Sequence, residues 1–422
     1  MRTPLSSGLA AAAMGFLLLG LGLRSWAIVL LALPPIIVLA LGSLSPPPRP
    51  RVVAIRSLSR DRTDTGREVD VELFVRNEGP SLDLVEIADI LPRELAVVHG
   101  TNHAVVSLEK GGTLRLAYTV RPRVRGDFVL GPVRARSFDP LALGAQDTVV
   151  DLRSPLVVAP AMEDLRRVQI QPRRTRPWFG HVPSRRIGPG TDFWGVREYV
   201  AGDEVRRINW KASARLERLF TNEYEGERSG DVIMVVDARR ESFIGTEVDN
   251  PVEHAVRAAL GIADRVLASK NRVGLIVQRQ VIDWVPLAFG RKQLYRILDH
   301  LVHVKPGGEW RFSHVGLLLS RFFPRDCLIV LITPLQDRDA LGAVINLAAR
   351  GYDVAIVSPS ALEIERRLRA DSEADRMAYR ILVMERANLI AQLRRVAQVV
   401  DWDPATSLAV ALRRMRAWLP PA

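Results

Sequence analysis

Between Gly8 and Gly42 the chain carries one charged residue, Arg24, and this run constrains its folding more than any other feature. Arg24 divides it into two apolar stretches, Gly8–Leu23 and Trp26–Gly42. Each lies near the lower limit of the about 17–25 residues with which a helix spans a bilayer. A cleaved signal peptide is the main competing reading. The apolar region is too long for one, and it is followed by proline-rich Ser45–Pro50 rather than by a small-residue cleavage site. The sequence therefore predicts a two-helix transmembrane hairpin over residues 1–48, turning at Arg24-Ser25, with a kink in the second helix at Pro34-Pro35. Arg2 precedes the hairpin and Arg49, Arg51, Arg56, Arg60 and Arg62 follow it. The positive-inside rule then places both ends, and the soluble remainder, on the cytoplasmic side of the plasma membrane.

The 422 residues leave room for two or three domains with cores of their own. A formal net charge of +12, dominated by arginine, favours anionic neighbours: lipid headgroups, nucleic acid or an acidic protein surface. The single cysteine, Cys327, opens the apolar run Cys327–Ile332. It cannot form an intramolecular disulfide, and a buried, inert thiol is expected.

From about residue 49 to 160 the pattern changes to alternation. Val69, Val71, Leu73 and Val75 fall on one face of an extended segment, and Leu114, Leu116, Tyr118 and Val120 repeat the pattern beside Gly111-Gly112 and Pro122. Several short strands separated by turn residues predict an all-β sandwich. The triplet Arg125-Gly126-Asp127 reads as a turn into a strand, because a cytoplasmic placement removes any integrin-type role.

Residues 231–422 read as alternating strands and helices. Val232–Asp237 is a continuous apolar run ending in an acid, the pattern of a buried parallel strand. A helix follows through Val252, Ala255, Val256, Ala259, Leu260, Ala263 and Leu267. Strands are expected at Arg272–Val277, Ile282–Leu287, Cys327–Thr333, Tyr352–Val357 and Val396–Trp402. Helices are expected at Arg291–Val304, Ser313–Phe323, Ala340–Arg350 and Ser407–Leu419, the last with Arg413, Arg414 and Arg416 opposite its apolar side. Such alternation predicts a doubly wound α/β domain with helices on both faces of a mostly parallel sheet.

Between these domains, residues 161–230 contain a stretch without helical or strand period, Gly190–Arg215. It concentrates Gly190, Asp192, Phe193, Gly195, Arg197, Tyr199, Gly202, Asp203, Arg207, Ile208, Trp210, Ala214 and Arg215. Asp203 is expected to accept charge-assisted hydrogen bonds from Arg197, Arg207 or Arg215. This order of residues resembles the signature of the domain of unknown function 58 family. The strand ending in Asp237 resembles the start of a von Willebrand factor A-like domain. The resemblance implies a membrane-anchored partner of a MoxR-type AAA+ ATPase, acting in assembly, maturation or stress response. The signature would then be a protein-binding segment or an interdomain element.

A von Willebrand factor A-like domain implies a magnesium site built on Asp-x-Ser-x-Ser with a distant threonine and acid. Here the opening is Asp237-Ala238-Arg239-Arg240-Glu241-Ser242, with Arg239 and Glu241 in the two serine positions. Gly307–Trp310 offers no threonine, and Pro334 follows Thr333 where an acid often stands. An arginine repels a dication, so Asp237, Glu241 and Ser242 are read as a degenerate remnant and no metal or other cofactor is expected.

No phosphate loop, zinc-protease helix or nucleophile elbow occurs in the chain. Ser213 has basic neighbours but no histidine assigned to activate it, so a structural serine is expected. His300 and His303 share a helix face, with His314 nearby in sequence, yet no zinc motif is completed. Cations interleaved with Trp178, Phe179, Phe193, Trp194, Tyr199, Trp210 and Tyr224 offer charge and stacking for single-stranded nucleic acid, but acids are interspersed and a membrane anchor suits that role poorly. The leading expectation is a non-enzymatic, membrane-anchored adaptor whose protein clients the sequence does not name. The alternatives are a magnesium-dependent adhesion-type binder with a rearranged site, and a basic surface that binds lipid or nucleic acid.

Overall fold

The computed structural model describes all residues except 1–2, 45, 169, 171–175, 188–192, 280–282, 309–323, 325, 337–338, 370–371 and 414–422, with only the backbone described at 176–187, 194, 225–228 and 339. The chain divides into two compact units, Met1–Ala159 and Pro160–Ala422.

The first unit opens with helix α1 (Pro4–Gly22), then α2 (Trp26–Leu30) and α3 (Leu33–Leu44). Thr3 caps α1 by accepting from the Ser6 amide, and Arg24 makes the turn at a φ of 52°. The two segments Pro4–Gly22 and Trp26–Leu44 are long and apolar enough to cross a membrane, and protein covers little of either. They cross closely at Gly20, where a Cβ would meet Val29 Cγ2 at 2.6 Å. The expected kink is instead a break. The helix stops at Leu30 and restarts at Leu33, so Pro34 and Pro35 lie in a first turn, where a missing N–H costs nothing.

Eleven strands follow: β1 (Val52–Leu58), β2 (Arg62–Asp64), β3 (Val69–Asn77), β4 (Leu82–Asp89), β5 (Leu95–Gly100), β6 (His103–Leu108), β7 (Thr113–Pro122), β8 (Gly126–Leu130), β9 (Val133–Phe138), β10 (Ala145–Val150) and β11 (Ser154–Ala159). They form sheets of order β1-β3-β7-β5, β10-β9-β4-β6 and β2-β11-β8. The alternation read from the sequence is the packing pattern. Leu73 and Val75 of β3 meet Val85 and Ile87 of β4 in one core, and Val69 and Val71 meet Leu156 and Val158 of β11 in another. Each such fully buried side chain contributes about 1.5–3 kcal/mol of transfer free energy.

Between these layers lies an ion pair with both side chains fully buried, Arg56 and Asp89. Arg56 Nε donates to Asp89 Oδ2 at 2.9 Å, and its Nη1 donates to the carbonyls of Leu130 and Leu152 and to Ser154 Oγ. Tyr118 donates its hydroxyl to Asp89 at 2.7 Å. Burial, and then the neighbouring carboxylate, push the Tyr118 phenol well above its ordinary range. Arg125 immediately precedes β8, in the turn into that strand, and is buried there.

The second unit begins with a small antiparallel sheet of β12 (Arg176–Ile187), β13 (Phe193–Glu198) and, after helix α4 (Trp210–Leu216), β14 (Phe220–Ser229), in the order β12-β14-β13. Then come β15 (Asp231–Asp237), α5 (Pro251–Ala268), β16 (Arg272–Gln278), β17 (Asp283–Ala288), α6 (Gly290–Val302), β18 (Leu328–Ile332), α7 (Asp339–Ala349), β19 (Asp353–Pro359), α8 (Ala361–Leu368), α9 (Glu373–Leu393), β20 (Gln398–Trp402) and α10 (Leu408–Arg413). The strands form a six-stranded sheet of order β17-β16-β15-β18-β19-β20, parallel except for β17. Val232, Met234 and Val236 of β15 face α5, α6 and α10, whereas Ile233 and Val235 face α7 and the end of α9. Both faces are therefore covered, which explains the unbroken apolar run. Asn250 caps α5 by accepting from the Glu253 amide at 2.9 Å, with Pro251 in the first turn.

Helices α8 and α9 occupy a region where the sequence suggested no element. The expected helix Ser313–Phe323, the first residue of the strand expected at Ile282–Leu287, and Arg414 and Arg416 of the last helix lie outside the described residues, whereas Arg413 ends α10.

Candidate functional site

The aperiodic stretch is built from short elements that share one carboxylate. Asp203 closes a turn in which its amide donates to the Val200 carbonyl at 3.0 Å, and Gly202 within the turn has a φ of 113°. That backbone conformation suits glycine alone. Arg197, on β13, reaches across to Asp203 with Nη1 at 2.7 Å from Oδ2 and Nη2 at 2.6 Å from Oδ1. Its Nε donates to Glu223 of β14 at 2.8 Å. The Val200 amide and the Thr221 hydroxyl complete the shell of Asp203 at 3.0 and 3.4 Å. The Arg197 guanidinium, followed by the Val200 amide, holds the Asp203 carboxyl down to about 2, and the two carboxylates push Arg197 upward in turn.

Of the three arginines expected around Asp203, only Arg197 is there. Arg207 lies over the Tyr224 ring at 5.6 Å and meets Glu204 at 3.5 Å, and Arg215 is exposed. Asn209, which the sequence did not single out, caps α4 by accepting from the Ala212 amide at 2.9 Å and donates to Asn222 at 2.8 Å. Ser213 accepts from the Phe220 amide at 2.9 Å, and so ties α4 to β14 in a structural role. Tyr199 continues the pairing through its amide, which donates to the Leu219 carbonyl at 2.8 Å. Gly195 lies in β13 with open space around its α-carbon. Gly190 and Asp192 fall outside the described residues.

Around this polar framework large apolar side chains stand in solvent. Val205 is 65% exposed, Trp210 64%, Phe193 63%, Val200 60% and Leu216 56%. Among the described residues, no ion pair engages Arg206, Lys211 or Arg215, although Arg218 meets Glu198 at 3.0 Å. Apolar groups of this size beside free cations are what a docking surface offers, whereas scattered single leucines would mean nothing.

A second cluster stands at the carboxyl end of the large sheet. Asp237 ends β15 and Thr333 follows the neighbouring β18. The connections run from β15 to β16 on one side and later to β18 on the other, so the gap between these strands is the topological switch point, where open α/β sheets bind ligands. Arg239 donates from Nε to Asp237 Oδ1 at 3.0 Å and from Nη2 to Oδ2 at 3.1 Å, and Thr333 donates to Oδ2 at 2.8 Å. Glu241 reaches Arg239 Nη1 at 3.5 Å from an exposed position, and Ser242 is buried. These residues do not fit a magnesium ion, because a guanidinium covers both oxygens of the one buried carboxylate. Nothing local in the sequence marks Thr333 for this role, because only the pairing of β15 with β18 brings it to Asp237.

Nearby, Arg386 of α9 donates to the Pro334 carbonyl, Ser358 and Asp401, and so clasps the ends of three strands. His300 pairs with Asp283 at 3.0 Å rather than joining His303, and His314 lies outside the described residues. Cys327 is buried.

The profile of the family described as protein of unknown function DUF58 matches residues 195–364. Uncharacterized protein YeaD of Bacillus subtilis is 24% identical over 297 residues, covering 69% of this chain and 72% of that protein. Uncharacterized protein Rv1480 of Mycobacterium tuberculosis is 30% identical over 112 residues, 26% of this chain and 35% of that protein. Among solved structures, the CARDB domain of the PF1109 protein from Pyrococcus furiosus aligns with 26% of this chain and 94% of its own at 13% identity, with a TM-score of 0.18 that carries no argument. The matched profile runs from Gly195, inside the signature, through the Asp237 strand to Ile364 of α8, so residues 195–364 match the DUF58 family and most of the chain is similar to a protein known only as uncharacterized.

Proposed function

We propose that the chain is a membrane-anchored, non-enzymatic adaptor. The apolar hairpin anchors it with both ends in the cytoplasm, the sandwich serves as a spacer, and the second unit, with a von Willebrand factor A-like α/β domain, binds protein. By family resemblance the partner is a MoxR-type AAA+ ATPase. The observation that carries the reading is the pairing of a rigid framework with an exposed surface. Arg197, Asp203 and Glu223 fix the backbone, and Val205, Trp210 and Leu216 are presented to solvent with uncompensated positive charge beside them. Exposed tryptophan and arginine are the residue types that most often dominate a protein interface. Uncompensated arginine and lysine favour an acidic surface on the partner.

The test is affinity isolation of the detergent-solubilised protein from its native membrane, with mass spectrometry of what accompanies it. An AAA+ ATPase retained by the wild type and lost from a folded Trp210→Ala variant supports the adaptor. Equal recovery with both makes the signature structural. Recovery of phospholipid or nucleic acid in place of any ATPase favours a basic surface for those ligands.

A further inference from the structure

The switch-point crevice is the place where a doubly wound sheet holds its ligand. In this chain a side chain of the protein itself fills it. Asp237 is 0% exposed, Thr333 1% and Arg239 4%. A buried carboxylate requires a partner, since an ion removed from water costs several kcal/mol unless it is paired and hydrogen-bonded. Three donors satisfy Asp237: the two guanidinium nitrogens at 3.0 and 3.1 Å and the Thr333 hydroxyl at 2.8 Å. The Arg239 amide also turns to Oδ1 at 3.2 Å, so the same residue gives the carboxylate its charge and closes the loop above it. The rim of that loop is fixed as well. The Arg240 amide donates to the Gly308 carbonyl at 3.1 Å, and the Gly307 amide donates to the Ala238 carbonyl at 3.0 Å.

We infer that Arg239 is a tethered cation that does the work of a divalent metal in this crevice. It neutralises Asp237, orders the 238–242 loop and closes the crevice to magnesium, so that binding at this end of the sheet does not depend on metal. Both carboxylate oxygens are already engaged by a planar, permanently charged group that suits them bidentately. A dication could enter only by expelling that group into solvent. Removing the guanidinium reverses the situation, because it leaves a buried acid and a hydroxyl from adjacent strands facing a space open to a hard cation. The inference goes beyond the adaptor reading and stands apart from it: partner capture at Trp210 can fail while Arg239 remains the cation of the crevice.

The experiment is thermal unfolding of the full detergent-solubilised chain in EDTA, in millimolar magnesium and in millimolar manganese. The wild type is expected to have the same Tm in all three. Arg239→Ser is expected to unfold several degrees lower in EDTA and to recover part of that loss with either metal. The recovery disappears when Asp237→Asn is added. Arg239→Lys keeps a cation without the bidentate fit. It is expected at an intermediate Tm without a metal response, and it tests the counter-ion role if the serine variant does not fold. Manganese binding to the wild type is read independently by electron paramagnetic resonance, with no bound signal expected. An Asp237-dependent metal response in the wild type overturns the inference. So does an arginine-free variant as stable as the wild type in EDTA, or a folded Arg239→Ser protein that ignores metal.

Discussion

Arg197 grips Asp203 through two parallel hydrogen bonds, Nη1 to Oδ2 at 2.7 Å and Nη2 to Oδ1 at 2.6 Å, from a strand to the turn that follows it. A bidentate guanidinium–carboxylate pair fixes angle as well as distance. Here it sets the direction in which the chain leaves β13 for α4, and with it the presentation of Val205 and Trp210.

The pairing has a pH signature. Asp203 is held down to about 2, below its ordinary value, chiefly by Arg197. A carboxylate lowered in the folded state contributes stability that is fully present above its unfolded pKa, about 3.9, and is lost as pH falls through the folded value. The stability difference between wild type and Asp203→Asn should therefore be constant above about pH 5 and close between about pH 4 and pH 2. Tm measured against pH for the two proteins checks this. Parallel curves across that window would contradict it.

Two neighbouring residues of α4 should behave in opposite ways. Trp210 is 64% exposed, so Trp210→Ala should change stability by no more than about 0.5 kcal/mol. Ser213 is buried and accepts from the Phe220 amide, so Ser213→Ala should cost about 1 kcal/mol by leaving that donor unpaired. Denaturant titration of both variants separates presentation from structure. A larger loss at Trp210 than at Ser213 would make the tryptophan a structural residue.

The sandwich should depend on Arg56 and Asp89. Both are fully buried, so removing one leaves an uncompensated charge, and Asp89→Ala should cost about 3–5 kcal/mol. Replacing the pair together by Met and Leu should recover much of that loss, because desolvation of the ion pair also disappears. Equilibrium unfolding of single and double variants measures the coupling. Additive effects would mean that the two side chains act independently.

What could be read from the sequence followed from periodicity. Val69, Val71, Leu73 and Val75 alternate because one sheet face is buried, and Val232–Val236 is unbroken because both faces are. Helix α9 escaped because Met377, Ile381, Leu382, Val383 and Met384 are all substantially exposed and form no single stripe, while Ile390 and Leu393 alone are buried. Within the signature, the residue types announced a charge-assisted network but not its partners. Arg197, Arg207 and Arg215 are equivalent on paper, and only β13 pairing with β14 brings the first of them to Asp203 and Glu223. The crevice was half legible. Arg239 marked a poor metal site, but its bond to Asp237 and the approach of Thr333 depend on β15 lying beside β18, which no local pattern reports.

The central claim, that the exposed face of the signature is where a protein partner docks, is tested most directly by site-specific photocrosslinking in the native membrane. One protein carries the crosslinking residue in place of Trp210, and a control carries it in place of Tyr295 on α6, which is equally exposed at 64%. An AAA+ ATPase joined at position 210 and not at 295 is the predicted result. Adducts of equal yield at both positions, or an ATPase captured only at 295, would contradict it.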